Sequence, residues 1–328
     1  YLFSASLTAV PGQKGRPVVS NEKTAMEIKN DLEAASYHVF KITRREVKQR
    51  TRPPFTTSTL QQQAARSFRF SAQRTMRIAQ DLYEGIATGK SEPGGLITYM
   101  RTDSTNLADN ALNEAEKFIT ATYGSEYSSG PRRYRTKSKS AQEAHEAIRP
   151  TSAENTPDKV AAYLSGEQLR LYTMIWKRTI ASQMTDAIVD NTRADITATV
   201  PNGKQYTVRA TGSVIKFDGY RKLYVETRDE DSEDEGRKQL PAMKENDSLT
   251  KQKVHSDQKF TQPPPRYTEA NLIRFLEEQG IGRPSTYASI VGTIEKRQYV
   301  DKEKTRFKPT PLGVVVSDLL SKHLPNVI

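Results

Sequence analysis

The sequence predicts an α+β protein of more than one domain, and three observations support this prediction. The chain has 328 residues, which is more than a single hydrophobic core ordinarily serves. Apolar and polar residues alternate near the start of the chain and again between residues 194 and 225, as they do in β-strands. Elsewhere apolar residues recur at helical spacing.

Strand-like alternation opens the chain. Tyr1 to Ala9 is therefore predicted to be a strand and not a cleaved signal peptide. Helical spacing follows in Glu22 to Ala35, and a second strand is predicted at Tyr37 to Ile42. The next stretch, Arg44 to Pro54, is basic and contains prolines, which predicts a linker or hinge.

A β-hairpin is predicted in the second half of the chain. Alternation at residues 194–200 and 206–210 flanks Asn202-Gly203, a pair that favours the tight turn of a hairpin. The acidic run from Arg228 to Lys238 predicts a solvated loop. Three consecutive prolines at 263–265 mark a further boundary.

Helices are predicted through most of Thr56 to Met184. Three apolar stripes indicate them: Met76, Ala79, Leu82 and Tyr83; Ala111, Ala115, Phe118 and Ile119; and Leu169, Tyr172, Trp176 and Ile180. Trp176 is interpreted as a core residue. Between the first two helices, Leu96 to Tyr99 is predicted to be extended.

The C-terminal part is predicted to be helical with a small hairpin. Thr268 is positioned to cap a helix that ends at Gly280, and Pro284 stands where a second helix begins. Residues 299–300 and 306–307 then predict two short strands. This order of elements indicates a winged-helix-like arrangement.

Composition narrows the classes of function. The formal net charge of +11 favours an anionic partner, with nucleic acid first, although a basic protein without such a partner stays open on charge alone. The chain contains no cysteine, which excludes disulfides, thiol nucleophiles and cysteine-ligated zinc. The four histidines show no metal-ligand spacing, and no apolar run is long enough to span a membrane.

One short segment combines residues suited to phosphoryl chemistry. In an extended backbone Tyr99 and Arg101 point to the same side, with Asp103 beside them. A tyrosine hydroxyl is a weak nucleophile at neutral pH, and an arginine fork can make a phosphate more electrophilic by neutralising its charge. For this pattern alone, a half-buried tyrosine beside an Arg101–Asp103 ion pair is the commoner explanation.

Four stretches, in chain order, resemble motifs of the type IA DNA topoisomerases. They are residues 54–61 (PFTTSTLQ), 94–104 (GGLITYMRTDS), 144–151 (AHEAIRPT) and 280–290 (GIGRPSTYASI). The resemblance covers nearly the whole chain and is weakest in residues 1–50 and 226–260. Within the family it is closest to bacterial topoisomerase I.

The resemblance implies a role for each matching residue. Tyr99 matches the nucleophile that becomes joined to a 5′ phosphate of DNA, and Arg101 matches the arginine beside the scissile phosphate. His145 matches a histidine that lies near the active site. DNA contacts are implied at six further positions: Asp103, Arg149, Arg283, Ser285, Thr286 and Arg297.

Each implied role has an ordinary structural alternative. His145 can relay a proton or bind phosphate, or it can be merely structural. Arg149 precedes a proline and can equally serve packing. Ser285 and Thr286 suit a phosphate at a helix start, and they also suit helix capping.

The family also implies a magnesium ion that this chain is not expected to hold. Type IA topoisomerases bind Mg²⁺ through an acidic Toprim domain that precedes these motifs, and many carry zinc ribbons near the C-terminus. The run at 229–233 (DEDSE) has the metal-binding spacing, but it lies in a hydrophilic acidic stretch after the nucleophile and is interpreted as a solvated loop. The sequence is therefore predicted to be an internal piece of a longer enzyme.

The family fold implies a toroid with three parts in this chain. They are a β-rich arch from residues 1–54 and 190–260, a helical domain from 55–189, and part of a base domain from 261–328. The implied activity is cleavage of one DNA strand through a phosphotyrosine, passage of the other strand and religation. This relaxes negative supercoils without ATP.

Further expectations follow from the resemblance. The intact enzyme is expected to be monomeric, to act on single-stranded segments of supercoiled DNA and to work in the bacterial cytoplasm, at the nucleoid. The isolated piece is expected to bind single-stranded DNA without catalysing relaxation.

Other functions stay open. Topoisomerase III usually has a proline between the tyrosine and the arginine, and reverse gyrase carries a helicase module elsewhere in its sequence. A non-catalytic single-strand-binding module would use the same basic surface but would not need Tyr99. A basic structural protein leaves the four motifs unexplained.

Overall fold

The computed structural model describes residues 1–85, 94–134, 145–226 and 239–324. The chain folds into two compact units, here called unit one and unit two. Unit one comprises Tyr1–Gln49, Ala187–Asp218 and the described part of Glu233–Pro263. Unit two comprises the described parts of Arg50–Asp186, Gly219–Ser232 and Pro264–Ile328. The predicted division into arch, helical and base parts stays a prediction.

Unit one is built on a five-stranded antiparallel sheet with the strand order β1-β4-β3-β2-β5. Its strands are β1 (Ser6–Ala9), β2 (Ser36–Gln49), β3 (Ala187–Thr199), β4 (Gln205–Phe217) and β5 (Ser248–Leu249). The predicted hairpin is confirmed as β3 and β4. The prediction of a linker at Arg44 to Pro54 is wrong for residues 44–49, because β2 pairs with β3 as far as Gln49.

One helix, α1 (Glu22–Ala34), covers one face of this sheet. The Asn21 side chain caps it by accepting a 2.8 Å hydrogen bond from the Thr24 N–H. Ile28 and Leu32 are buried against alternate residues of β3 and β4. Burying two such side chains contributes roughly 3–6 kcal/mol and determines which face of the sheet is the core.

Unit two is mainly helical. Together with the antiparallel sheet of unit one, it confirms the predicted α+β class. Its helices are α2 (Thr57–Phe68), α3 (Ala72–Glu84), α4 (Asp109–Tyr123), α5 (Pro157–Val160), α6 (Gly166–Gln183), α7 (Glu269–Glu278), α8 (Tyr287–Lys296) and α9 (Pro311–His323), and strands β6 (Val300–Glu303) and β7 (Arg306–Pro309) form a hairpin. The three helices predicted from apolar stripes are α3, α4 and α6. Trp176 is a core residue, since it is buried edge-on against Phe118 and donates to the Ala153 carbonyl at 3.0 Å.

The two helices before the small hairpin differ in how well they match their predictions. Thr268 caps α7, which ends just before Gly280, as the sequence predicted. Helix α8 begins at Tyr287 and not at Pro284. The reason is that the Arg283 N–H donates to the Thr286 hydroxyl at 2.8 Å, so residues 283–286 form a turn. Within the described ranges, no helix has the length and hydrophobicity to cross a membrane.

Candidate active site

A cavity of about 290 Å³ in unit two brings together residues from three of the four motif stretches. Its walls are Tyr99, Arg101, Thr102, Asp103, His145, Pro284 and Ser285. These residues come from segments that lie far apart in the chain. Four predicted site residues besides Asp103 thus share one cavity: Tyr99, Arg101, His145 and Ser285.

The segment before Tyr99 is extended, as predicted, and it is held by residues 147–151. Ile97 pairs with Pro150 in an antiparallel bridge. The Thr98 N–H donates to the Arg149 carbonyl at 2.9 Å, and the Thr151 N–H donates to the Leu96 carbonyl at 3.0 Å. The second and third motifs are therefore hydrogen-bonded to each other.

The first motif, at the first turn of α2, is hydrogen-bonded to the backbone of residues 100–102. The Thr57 hydroxyl donates to the Met100 carbonyl at 2.7 Å and accepts from the Thr102 N–H at 2.8 Å. Met100 is fully buried, so its neighbours Tyr99 and Arg101 point outward. Burial of one apolar residue thereby presents two polar side chains to the cavity.

This arrangement predicts a large cost for Thr57→Val. The substitution keeps the shape of the side chain but leaves a buried carbonyl and a buried N–H without the hydroxyl, which should cost about 2–4 kcal/mol of unfolding free energy. Thr293→Val, at an exposed helical threonine, is the control and should change stability by less than about 0.5 kcal/mol. Urea denaturation of both variants measures the difference, and equal stability would contradict the role of Thr57.

Tyr99 is 48% exposed, so its hydroxyl is accessible. Its ring contacts the ring of Tyr83 on α3 edge-on, with centroids 5.3 Å apart. Gly95 permits this approach of α3, because a Cβ at Gly95 would collide with the Tyr83 carbonyl. Gly95 of the motif therefore has a steric explanation, whereas a Cβ at Gly94 would meet no described atom within 4 Å.

Three other side chains of the cavity are available to a ligand. Arg101, His145 and Ser285 are exposed, and within the described part of the chain none of their side chains forms a hydrogen bond or an ion pair. The commoner explanation of Arg101, an ion pair with Asp103, is therefore not what the structure shows. Two groups that can carry positive charge and the two exposed hydroxyls of Tyr99 and Ser285 around one cavity are suited to a phosphate.

Arg149 differs from these three side chains, because its guanidinium is fully engaged in hydrogen bonds within the chain. Its guanidinium donates to both carboxylate oxygens of Glu146, at 2.6 and 3.1 Å, and to the Pro150 carbonyl at 2.8 Å. Glu146 in turn accepts from the Ala108 N–H at the start of α4, at 2.7 Å. This geometry favours a positioning role for Arg149, and direct contact with DNA stays a prediction.

The remaining predicted DNA contacts lie outside the walls of the cavity. Arg283 and Thr286 flank Ser285 and are exposed, and Arg283 donates to the Gly282 carbonyl at 2.8 Å. The Thr286 side chain makes no cap hydrogen bond to α8, so the helix-capping alternative is not observed for it. Arg297 is exposed at the C-terminal end of α8.

Glu277 on α7 is a nearby group that the sequence analysis missed. Desolvation raises its pKa, the carboxylates of Glu278 and Asp103 add to the effect, and a hydrogen bond from Ser58 opposes it. Its neighbours Ser58 and Asp103 lie far away in the chain. The only signal in the sequence is its position three residues before the Gly280 motif.

The described residues of the cavity do not form a metal site. Among the described residues, Asp103 is the one carboxylate on the walls of the cavity, where it is accompanied by Arg101 and His145. Among residues 1–85, 94–134, 145–226 and 239–324, no group of three or more histidine, aspartate or glutamate side chains is placed to hold a metal ion. The run at 229–233, interpreted above as a loop, lies outside the described residues.

Comparison with known proteins agrees with the motifs. The family model described as DNA topoisomerase matches residues 6–328. DNA topoisomerase 1 of Xylella fastidiosa (strain Temecula1) is 47% identical over 334 residues, covering 99% of this chain and 40% of the relative. DNA topoisomerase 1 of Rickettsia felis is 47% identical over 321 residues, covering 97% of this chain and 41% of the relative.

A solved structure shows the same fold. Full-length topoisomerase I from Thermotoga maritima aligns with a TM-score of 0.82 and 35% identity, over 99% of this chain and 50% of that one. The chain thus spans about 40% of the length of the curated relatives. The family match over residues 6–328, together with the cavity that collects the motifs, shows that this chain belongs to the DNA topoisomerase family.

Proposed function

We propose that this chain forms the nucleophile-bearing core of a type IA DNA topoisomerase. The observation that carries the proposal is the cavity in which the exposed hydroxyl of Tyr99 is accompanied by Arg101, His145 and Ser285. No partner in the described part of the chain occupies the latter three side chains. A DNA phosphate in this cavity would meet a nucleophile and charge-neutralising groups together.

The reaction we propose is a reversible transesterification. The Tyr99 oxygen attacks the phosphorus and loses its proton, and a new bond to the 5′ phosphate forms. The bond from phosphorus to the 3′ oxygen breaks, and this oxygen takes up a proton. Because the new ester conserves the energy of the phosphodiester, religation needs no ATP.

Each neighbouring side chain has a proposed part in this reaction. Arg101 binds the phosphate with its fork and neutralises charge in the transition state. His145 moves a proton or binds phosphate, and the Ser285 hydroxyl donates to a phosphate oxygen. Arg283, Thr286 and Arg297 contact the backbone of the same strand outside the cavity, Asp103 contacts DNA within it, and Arg149 positions residues 145–151.

We propose that the longer protein binds the metal ion and acts on the DNA substrate. The donor set described here does not fit a Mg²⁺ ion, so we assign Mg²⁺ to residues of the longer protein outside the described ones, and no step above depends on it. The substrate is single-stranded segments of negatively supercoiled DNA in the bacterial nucleoid. The enzyme acts as a monomer.

Covalent capture with strand polarity tests the proposal. This chain replaces the matching segment of the Xylella fastidiosa relative, so that the remaining length is supplied. A single-stranded oligonucleotide labelled at its 3′ end should transfer its label to the protein, whereas one labelled at its 5′ end should not. Transfer from the 5′ label would contradict the linkage, and no transfer at all would favour a non-catalytic single-strand-binding module.

The chain by itself should bind DNA without relaxing it. Its surplus of basic residues should hold a single-stranded oligonucleotide with an affinity that falls steeply as salt rises. Catalysis also needs a fully assembled site, so supercoiled plasmid should stay supercoiled with or without magnesium. Relaxation on an agarose gel would contradict this, and neutralising Asp229, Asp231 and Glu233 would then test whether that run binds metal.

A further inference from the structure

The two faces of the sheet in unit one differ in what covers them. Helix α1 packs on the face that carries Ala194, Ile196 and Ala210. On each strand, the residues next to these core residues point to the opposite side of the sheet, because successive side chains of a strand alternate between its two faces. This opposite side is here called the open face.

Basic side chains are concentrated on the open face. Residues directly opposite each other in neighbouring strands share a face, and the register places Lys41, Asp195 and Arg209 in one row and Arg45 in a row further along β2. Arg193 lies in the row between them, so the open-face positions at Lys41, Thr43 and Arg45, with their partners on β3 and β4, carry four basic side chains and one acidic side chain.

The single acid organises two of these cations. Asp195 accepts from Arg193 at 2.8 Å and from Arg209 at 2.7 Å, and its side chain is 11% exposed. Burial opposes its ionisation, but the two arginine hydrogen bonds outweigh burial and lower the pKa of Asp195. The trio keeps a net positive charge, and the guanidinium of Arg193 is about half exposed.

The face of the sheet that carries α1 has a smaller net charge in the part of β2, β3 and β4 that α1 does not cover. Arg44 and Lys48 point there, and so do the acids Glu46 and Asp190, which face each other across β2 and β3. Lys216 forms an ion pair with Glu46. The positive charge of this part of the sheet is therefore concentrated on the open face.

We infer that the open face of unit one binds the backbone of duplex DNA, at a site separate from the Tyr99 cavity. Lys41 and Arg45 lie about 13 Å apart along one strand, and duplex DNA carries one charge per ~1.7 Å of its axis, so the patch meets several phosphates. The paired positions of the face hold threonine, serine and asparagine between the cations, and the exposed ring of Phe40 lies at the bulge of β2 beside Lys41. Cations hold both forms of DNA, but successive bases of a single strand stack on several rings, whereas a duplex is held through its phosphates alone. A patch of cations with one neighbouring ring therefore favours a duplex.

The same strand offers a matched pair of double variants. Lys41→Gln with Arg45→Gln removes two charges from the open face, and Arg44→Gln with Lys48→Gln removes two from the other face. All four residues are exposed on β2. Equal thermal unfolding of the two double variants checks that the sheet is intact in both.

Fluorescence anisotropy with the 328-residue chain measures the effect. A labelled duplex of about 20 base pairs should bind the open-face variant about tenfold more weakly, with a log–log salt slope shallower by about 1.8. The other variant should stay within about threefold of the unchanged chain, and a single strand should be weakened less than the duplex. Equal effects of the two variants, equal losses for duplex and single strand, or no duplex binding would overturn the inference.

The inference rests on the proposed function for the identification of DNA as the polyanion. Different experimental results would overturn the inference and the proposed function. Covalent capture at Tyr99 without a difference between the double variants would overturn only the open face. A clear difference between the variants without covalent capture would overturn only the proposed topoisomerase chemistry.

Discussion

Tyr99→Phe is expected to abolish covalent capture and plasmid relaxation in the chimera with the Xylella fastidiosa relative. The hydroxyl is the proposed attacking group, and its loss leaves no nucleophile at this position. Binding of single-stranded DNA should stay within about twofold, because the phenyl ring keeps its edge-on contact with Tyr83. Gel relaxation and transfer of a 3′ label measure the two losses.

Tyr83→Phe provides the matched control. Tyr83 is 39% exposed, and its ring lies 5.3 Å from that of Tyr99, so it is a second accessible tyrosine beside the cavity. The Tyr83 variant should retain capture and relaxation. Loss of both activities in this variant, with activity retained in Tyr99→Phe, would move the nucleophile to α3.

Arg101→Lys is expected to slow cleavage about 100-fold with little change in DNA binding. Lysine keeps the charge but loses the planar fork that binds two phosphate oxygens at once. The estimate follows from the loss of one positioned transition-state contact, which costs about 100- to 1,000-fold in rate. Single-turnover cleavage of a labelled oligonucleotide measures the rate, and anisotropy measures binding.

A variant of a second arginine serves as the control. It distinguishes a specific role of Arg101 in cleavage from a general effect of arginine-to-lysine substitution. Arg77 on α3 is exposed, and Arg77→Lys should leave both rate and affinity within about twofold. A normal cleavage rate in Arg101→Lys would show that a point charge is sufficient at this position. A loss of affinity that matches the loss of rate would show instead that Arg101 only binds DNA.

Much of the fold was predictable because it depends on local pattern. Asn202-Gly203 between alternating runs predicted the β3–β4 hairpin, and apolar stripes predicted α3, α4 and α6. The end of β2 was not predictable in this way. Residues 44–49 are mostly charged and lack a buried face, and they are a strand only because β3 pairs with them from a distance of about 140 residues in the chain.

The candidate site was found through motifs, and its local geometry was not. Nothing in the sequence indicated that the Thr57 hydroxyl would bind the backbone on both sides of Arg101. Glu146 and Arg149 form an ion pair three residues apart outside any helix, so helical charge spacing did not indicate this pair. The roles of the individual side chains in the cavity stay predictions until the variants are measured.

The Thr57 anchor has a mechanical consequence for the proposed reaction. A DNA end joined to Tyr99 would pull on the backbone of residues 98–102 whenever the strands are drawn apart. That tension would pass through the Met100 carbonyl and the Thr102 N–H to the first turn of α2, and through the Thr98 N–H to residues 147–151. An attached strand would thus be held by a helix and a paired segment together. The gap between the two cut DNA ends would then widen by movement of this whole assembly and not by unravelling of the segment that holds the DNA.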